Sequence, residues 1–198
     1  MKKLLTIFKM SAKELSKTKN LALCGLMAAL GVILGYVATI NIGQYIRIGF
    51  STIPNRIIDF CFGPVVGAIF GGTLDILKYI INPTGPFFPG FTVSAMLTGL
   101  LYGIILYKKP ISIPRIVVAE VLEKILIDCL LNSVWLSVLY KTPFWATLIT
   151  SGRLVTKLVQ LPVDIVIVYA ILKCVEKSLI KLGFASRMHN SPKRIEEI

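Results

Sequence analysis

The sequence predicts an all-α integral membrane protein with six transmembrane helices, and three observations carry that prediction. Of its 198 residues, 55% are hydrophobic and only 16% are charged. The apolar residues fall in long blocks, about 21–40, 54–81, 92–107, 116–140 and 148–172, far longer than the alternating strands of a membrane barrel. Most of the basic residues gather in three stretches between or beyond those blocks. In lipid the backbone must satisfy its own hydrogen bonds, and closed helices do so. No connection is long enough for a soluble domain, so residues 1–198 read as one transmembrane domain: a basic N-terminal segment 1–19, a bundle 20–181 and a polar tail 182–198.

Residues 1–19 hold six lysines, with Leu4, Phe8, Ala12 and Leu15 at helical spacing among them. Two readings stay open, a basic anchor that sets orientation and an amphipathic helix lying in the interface. The apolar run Leu4–Phe8 is too short for the core of a signal peptide, and no small-residue cleavage site follows. The first span, about 21–40, carries Gly25 and Ala29 four apart, and also Gly31 and Gly35. Such rows admit close helix approach, either inside the bundle or with a partner. Asn41–Ile53 suggests a short hairpin or cap.

Pro54–Asn82 must be two helices rather than one. Six lysines lie between Lys2 and Lys19, three basic residues at Lys108, Lys109 and Arg115, and six more from Lys173 to Arg194. Positive charge stays inside, so both termini are expected in the cytoplasm, which requires an even number of spans. Gly63-Pro64 is the break, because proline removes a helix donor and pushes its predecessor out of the helical region. The second span is then unusually short. Ordered extracellular loops follow at 41–53, 82–91 and 141–151, with only Arg47 and Lys141 as basic residues. The second, with three prolines, two glycines and three phenylalanines, is expected to be non-helical throughout.

Several chemistries are poorly provided for. The single histidine, His189, lies in the polar tail, and Cys24, Cys61, Cys129 and Cys174 lack metal or redox spacing. No metal or cofactor is expected, and no catalytic constellation for an enzyme is evident. There is no phosphate-binding G-x-x-x-x-G-K-[ST] loop, so energy for active transport would come from another chain or an ion gradient. The +12 net charge sits where anionic headgroups would be, which argues against nucleic acid as a partner and for the bilayer.

Charges inside apolar blocks are costly, about 2.5–3.5 kcal/mol each on the lenient insertion scale, and mark function by default. Arg56, Asp59, Asp75 and Lys78 lie in the second and third spans; Arg153, Lys157 and Gln160 form one stripe in the sixth. Two uses compete. Arg56 with Asp59, and Asp75 with Lys78, could be self-contained ion pairs, or the apparent surplus of basic residues could receive an anionic ligand.

At these residues a family resemblance emerges. The run Arg47-Ile48-Gly49-Phe50-Ser51-Thr52-Ile53-Pro54-Asn55-Arg56, then Phe62-Gly63-Pro64 through Gly67-Ala68 and Gly71-Gly72-Thr73-Leu74-Asp75, resembles the substrate-capture (S) components of energy-coupling factor (ECF) transporters. The loop Pro83-Thr84-Gly85-Pro86-Phe87-Phe88-Pro89-Gly90-Phe91, with Ser94-Ala95-Met96, is similar to the folate-specific branch, as are Asn132-Ser133-Val134-Trp135-Leu136 and Leu161-Pro162. The resemblance spans roughly 21–181. It implies a multi-pass protein of the cell membrane that captures folate outside. It also implies association with a coupling membrane protein carrying two ABC-type ATPases, docked through the small pair that here reads Gly25 and Ala29.

For a folate site the expected residues are Asp75 on the pterin edge, and Phe87, Phe88, Phe91 and Trp145 for stacking. Arg47, Lys141 and Arg153 are expected near the glutamate carboxylates at the opening, with Lys78 and Arg56 deeper and Asn132 and Gln160 as orienting groups. Rival readings are an S component for another vitamin such as riboflavin or thiamine, a non-transport membrane scaffold subunit and, third, a membrane enzyme.

Overall fold

The computed structural model describes residues 2–37, 39–42, 46–83, 85–145 and 153–181, with the side chains at 2–3, 39–42, 46–49, 153–156 and 179–181 left outside. The basic polar tail 182–198 and most of the 141–151 loop therefore lie outside the described residues. Helix α1 (Lys2–Leu15) leads through a tight elbow into α2 (Thr18–Val37). Next comes an antiparallel hairpin, β1 (Thr39–Ile42) against β2 (Ile46–Gly49), with Thr39 opposite Gly49 and Ile42 opposite Ile46. The hairpin expected before Pro54 is thus present, and the rest of the described fold is helical.

A short 3₁₀ turn at Phe50–Thr52 feeds α3 (Ile53–Phe62), and α4 (Pro64–Ile81) follows after a single residue. Helix α5 (Pro89–Leu106) is followed by α6 (Ile113–Leu122), a π-helical stretch Glu123–Leu131, α7 (Asn132–Tyr140) and α8 (Arg153–Lys181). Among the described residues four helices are long and apolar enough to cross a membrane: Thr18–Val37, Pro64–Ile81, Pro89–Leu106 and Lys157–Ser178 within α8. Their outward positions, such as Leu26, Ile33, Ile80 and Val166, are exposed apolar side chains suited to lipid.

Helix α5 begins earlier than expected. Pro89, Gly90 and Phe91 belong to its first turn rather than to an irregular loop. Proline at this position gives up an N–H that has no helical partner anyway, and its fixed φ suits a helix start.

The break between α3 and α4 is as sharp as Gly63-Pro64 implies. Gly63 has φ 87°, a left-handed value that favours glycine, and a side chain there would strike the Tyr107 ring. The backbone groups freed by the break are met from a distant helix. Ser11 of α1 is fully buried; its Oγ donates to the Phe62 carbonyl (2.7 Å) and accepts from the Val65 and Val66 N–H groups (3.0 and 3.3 Å). It therefore acts as the cap of α4, supplied by another helix. We expect Ser11→Ala to lower stability by about 1–2 kcal/mol, the upper half of the range for losing a capping hydroxyl, read as a drop in the thermal midpoint in detergent.

Packing centres on α3. One core cluster joins Phe60 to Tyr102, Leu106, Ile116, Val168 and Leu172, drawn from α3, α5, α6 and α8; the other joins Ile58 to Ala28, Val66, Phe70 and Leu74, from α2, α3 and α4. Between α4 and α5 the backbones nearly touch. A side chain at Gly99 would run into the Gly67 carbonyl, one at Gly71 into the Ala95 carbonyl and one at Gly103 into Pro64. Gly67–Gly71 and Ala95–Gly99–Gly103 are thus the small-residue rows that join the bundle. Of the rows expected in the first span, Gly31 meets Leu74 and lies inside, whereas Gly25 has nothing within 4 Å and Ala29 is exposed.

Candidate ligand cavity

A cavity of about 780 Å³ opens between the hairpin end of α2, α3, α4, the π-helical stretch, α7 and α8. That volume is in the roughly 300–1,000 Å³ range of small-molecule sites. One wall is aromatic. Phe87 packs on Tyr79 with ring centroids 5.0 Å apart, and Phe88 lies 5.9 Å from Phe91 and 5.8 Å from Trp135. The Trp135 Nε1–H donates to Ser94 Oγ (3.1 Å), which fixes the indole and, through it, Phe88. Gly90 leaves room for these rings, since a side chain there would meet both Phe88 and Trp135.

Another part of the lining is ionic, and its charges come from more elements than α3 and α4. Arg56 is 5% exposed, with Nη1 3.7 Å from Asp59 Oδ2, Nη2 3.8 Å from Glu123 Oε1 and its guanidinium carbon 3.5 Å above the Tyr102 ring. Its Nε and Nη1 make no hydrogen bond among the described residues. Lys124 of the π-helical stretch pairs with Asp164 of α8 (2.6 Å), and Lys157 of α8 pairs with Asp128 (2.5 Å). The Asn132 amide donates to Asp128 Oδ1 (3.2 Å), so both oxygens of Asp128 are occupied.

Asp75 differs from these. Its Oδ2 accepts from Thr92 Oγ1 at 2.8 Å, it makes no ion pair among the described residues, and it lines the cavity. Lys78 lines it as well and donates to the Ser51 carbonyl at 3.4 Å rather than pairing with Asp75. Of the two self-contained pairs weighed from the sequence, Arg56–Asp59 forms and is shared with Glu123; Asp75–Lys78 does not form.

The structure thus gathers Asp75, Lys78, Arg56, Phe87, Phe88, Phe91 and Gln160 around one cavity. It places Asn132 behind Asp128, outside the lining, and Trp145 on the surface at 68% exposure against Phe144 (5.6 Å). The side chains of Arg47, on β2, and Arg153, opening α8, lie outside the described residues. Glu120, Glu123, Lys124, Asp128 and Asp164 were not singled out from the sequence, although all five lie within apolar blocks and the rule that flagged Asp75 applies equally to them. Their presence removes the expected surplus of positive charge. The described lining carries Arg56, Lys78, Lys124 and Lys157 against Asp75, Glu120, Glu123, Asp128 and Asp164.

The π-helical stretch explains why Glu123, Lys124 and Asp128 share a face. Widened turns of i→i+5 bonding bring residues five apart into line, a geometry often found at functional sites. Chemically the cavity can accept a flat ring against its phenylalanines, receive hydrogen bonds at Asp75 and offer ammonium or guanidinium donors to an anion.

A helical membrane bundle with a polar and aromatic cavity, four lipid-length helices among the described residues and a Gly-Pro elbow fits a substrate-binding membrane component, and the family comparison agrees. The model for the ECF transporter substrate-specific component matches residues 19–172, and the chain belongs to that family. Among curated relatives, a folate transporter FolT of Clostridium novyi (strain NT) is 34% identical over 132 residues, covering 67% of this chain and 76% of that protein. FolT of Leuconostoc mesenteroides is 30% identical over 162 residues, covering 78% and 85%. A solved structure, a crystal structure of FolT bound with folic acid, superposes with a TM-score of 0.70 at 29% identity, over 78% of this chain and 94% of that one.

Proposed function

We propose that this chain is the folate-capturing subunit of an ECF-type transporter of the cell membrane. In this reading it crosses the bilayer six times with both termini in the cytoplasm, α3 is the short second pass, and 113–140 forms the fifth. The observation that carries the ligand reading is a carboxylate, Asp75, that makes no ion pair among the described residues and lies in the same cavity as a phenylalanine wall. The pterin edge presents an amino group and a ring N–H side by side, and the Asp75 carboxylate can accept from both while Thr92 orients it.

Pterin and aminobenzoate rings are flat, and Phe87, Phe88 and Phe91 offer stacking surface worth about 1–3 kcal/mol per ring, by analogy with bases on aromatics. Lys78 and Arg56 are the described cations of α3 and α4 able to meet the glutamate carboxylates, and Arg47 and Arg153 belong to the same proposal. Gly25 and Ala29, small and outward-facing on α2, suit close approach by a coupling membrane protein, and two ATPases on that protein would supply the energy.

The test is a titration of the purified protein with folate and riboflavin in parallel, following Trp fluorescence. Trp135 packs on Phe88 and so reports on the aromatic wall. Saturable quenching by folate at nanomolar concentration, corresponding to about −12 kcal/mol, is expected. Asp75→Asn should weaken it by about 1–3 kcal/mol, the worth of a bidentate contact, with an unchanged thermal midpoint. Saturation by riboflavin alone would keep the architecture and overturn the ligand; no response to either, confirmed by calorimetry, would favour a scaffold.

A further inference from the structure

Helix α1 lies outside the residues matched by the family, and the cavity has no use for it. It is nevertheless fixed in place. Ser11 caps α4, Met10 Sδ accepts from Lys108 Nζ (3.4 Å), and Lys108 sits 5.3 Å above the Tyr107 ring. These contacts decide which face of α1 turns outward: Leu4 and Leu5 are 47% and 62% exposed, and Lys9, Ala12 and Lys13 are exposed beside them. Leu5, Lys9, Ala12 and Ser16 follow one another at helical spacing, so the outward face is a single stripe.

Its charge is of one sign. Glu14, the sole carboxylate of residues 1–19, is turned into the α1–α2 elbow, where Lys17 and Asn20 both donate to it at 2.7 Å. Burial raises the affinity of that carboxyl for protons, but the bonds from Lys17 and Asn20 outweigh it and hold Glu14 below its ordinary pKa. A shallow groove of about 560 Å³ runs along this side, lined by Thr6, Lys9, Met10, Ala12, Lys13 and Ser16. Ammonium and hydroxyl groups there suit a phosphate, and the adjoining exposed leucines suit the acyl boundary beneath it.

We infer that the outward face of α1 docks on anionic lipid headgroups of the adjacent leaflet, which hold it in the membrane interface. A free phosphate would leave Leu4 and Leu5 in water, whereas a lipid surface engages the lysines at its headgroups and the leucines at its acyl boundary together. The inference is independent of which ligand the cavity takes.

Hydrogen exchange of the full chain in nanodiscs tests it, comparing phosphatidylcholine alone with phosphatidylcholine plus phosphatidylglycerol. The α1 amides should exchange roughly tenfold more slowly in the anionic discs, while those of α4 and α5 stay unchanged. High salt and the double variant Lys9→Gln/Lys13→Gln should abolish that gain, and Lys9→Arg/Lys13→Arg should retain it. Equal α1 exchange in both discs, or the same gain in the glutamine variant as in the parent, overturns the inference and leaves the stripe to an acidic protein partner or to solvent.

Discussion

Arg56→Ala is expected to lose about 3–5 kcal/mol of stability, the range for removing one partner of a buried ion pair. The reason is local charge. Asp59 is fully buried, and Glu123 is 8% exposed; both face the one guanidinium, at 3.7 and 3.8 Å. Without it Asp59 is left in a low-dielectric interior with no ion pair among the described residues, Glu123 keeps only the more distant field of Lys124, and the stacking on Tyr102 is lost as well. Arg56→Lys preserves the charge but neither the planar stack nor the two-pronged reach, so it should recover part of the loss and not all. Thermal or denaturant unfolding in detergent reads the effect. Replacing Arg56 and Asp59 together with apolar residues should be milder than Arg56→Ala, since fewer unpaired charges stay behind. A single variant no less stable than the parent would mean that water already solvates this cluster.

Gly99→Ala is expected to cost about 3 kcal/mol, at the upper end for over-packing. The new methyl would meet the Gly67 carbonyl and the start of the Ala68 peptide, all backbone, so no flexible side chain can swing away. Either α4 and α5 separate or the helix bends, and both disturb the position of Asp75 on α4 against Thr92 on α5. Ligand binding should therefore weaken along with stability, although Gly99 does not line the cavity. Gly25→Ala supplies the control. Nothing lies within 4 Å of that position, and alanine favours a helix, so stability should stay level or rise by about 0.5–1 kcal/mol. Thermal midpoints of the two variants, measured side by side with ligand titrations, check the contrast.

Much of the site was legible because buried charge in an apolar block stands out without knowledge of packing. Arg56, Asp75 and Lys78 announced themselves in that way, and the Phe87–Phe91 run did so through its aromatics. Glu120, Glu123, Lys124 and Asp128 carried the same signal within 116–140, yet which face they share depends on a π-helical stretch that a 3.6-residue period does not reveal. Asn132 and Trp145 were plausible by type. The fold decides their surroundings, placing one behind Asp128 and the other on the outer surface.

The cap of α4 was equally hidden. Ser11 and Val65 are 54 positions apart, and nothing in a serine among lysines marks it as a partner for a distant Gly-Pro break.

What the chain determined alone is local and compositional. Its apolar blocks dictate a membrane helix bundle, Gly63-Pro64 divides the second block, and Pro89 is compatible with starting a helix in a loop of prolines. The tertiary structure decided which helices touch and, through them, which charges are neutralised. In lipid, apolar faces have no preference for one another, so contact is set by close backbone approach at glycines such as Gly67 and Gly99. That approach orients each polar side chain toward a partner on another helix, and no periodicity within one segment contains that information.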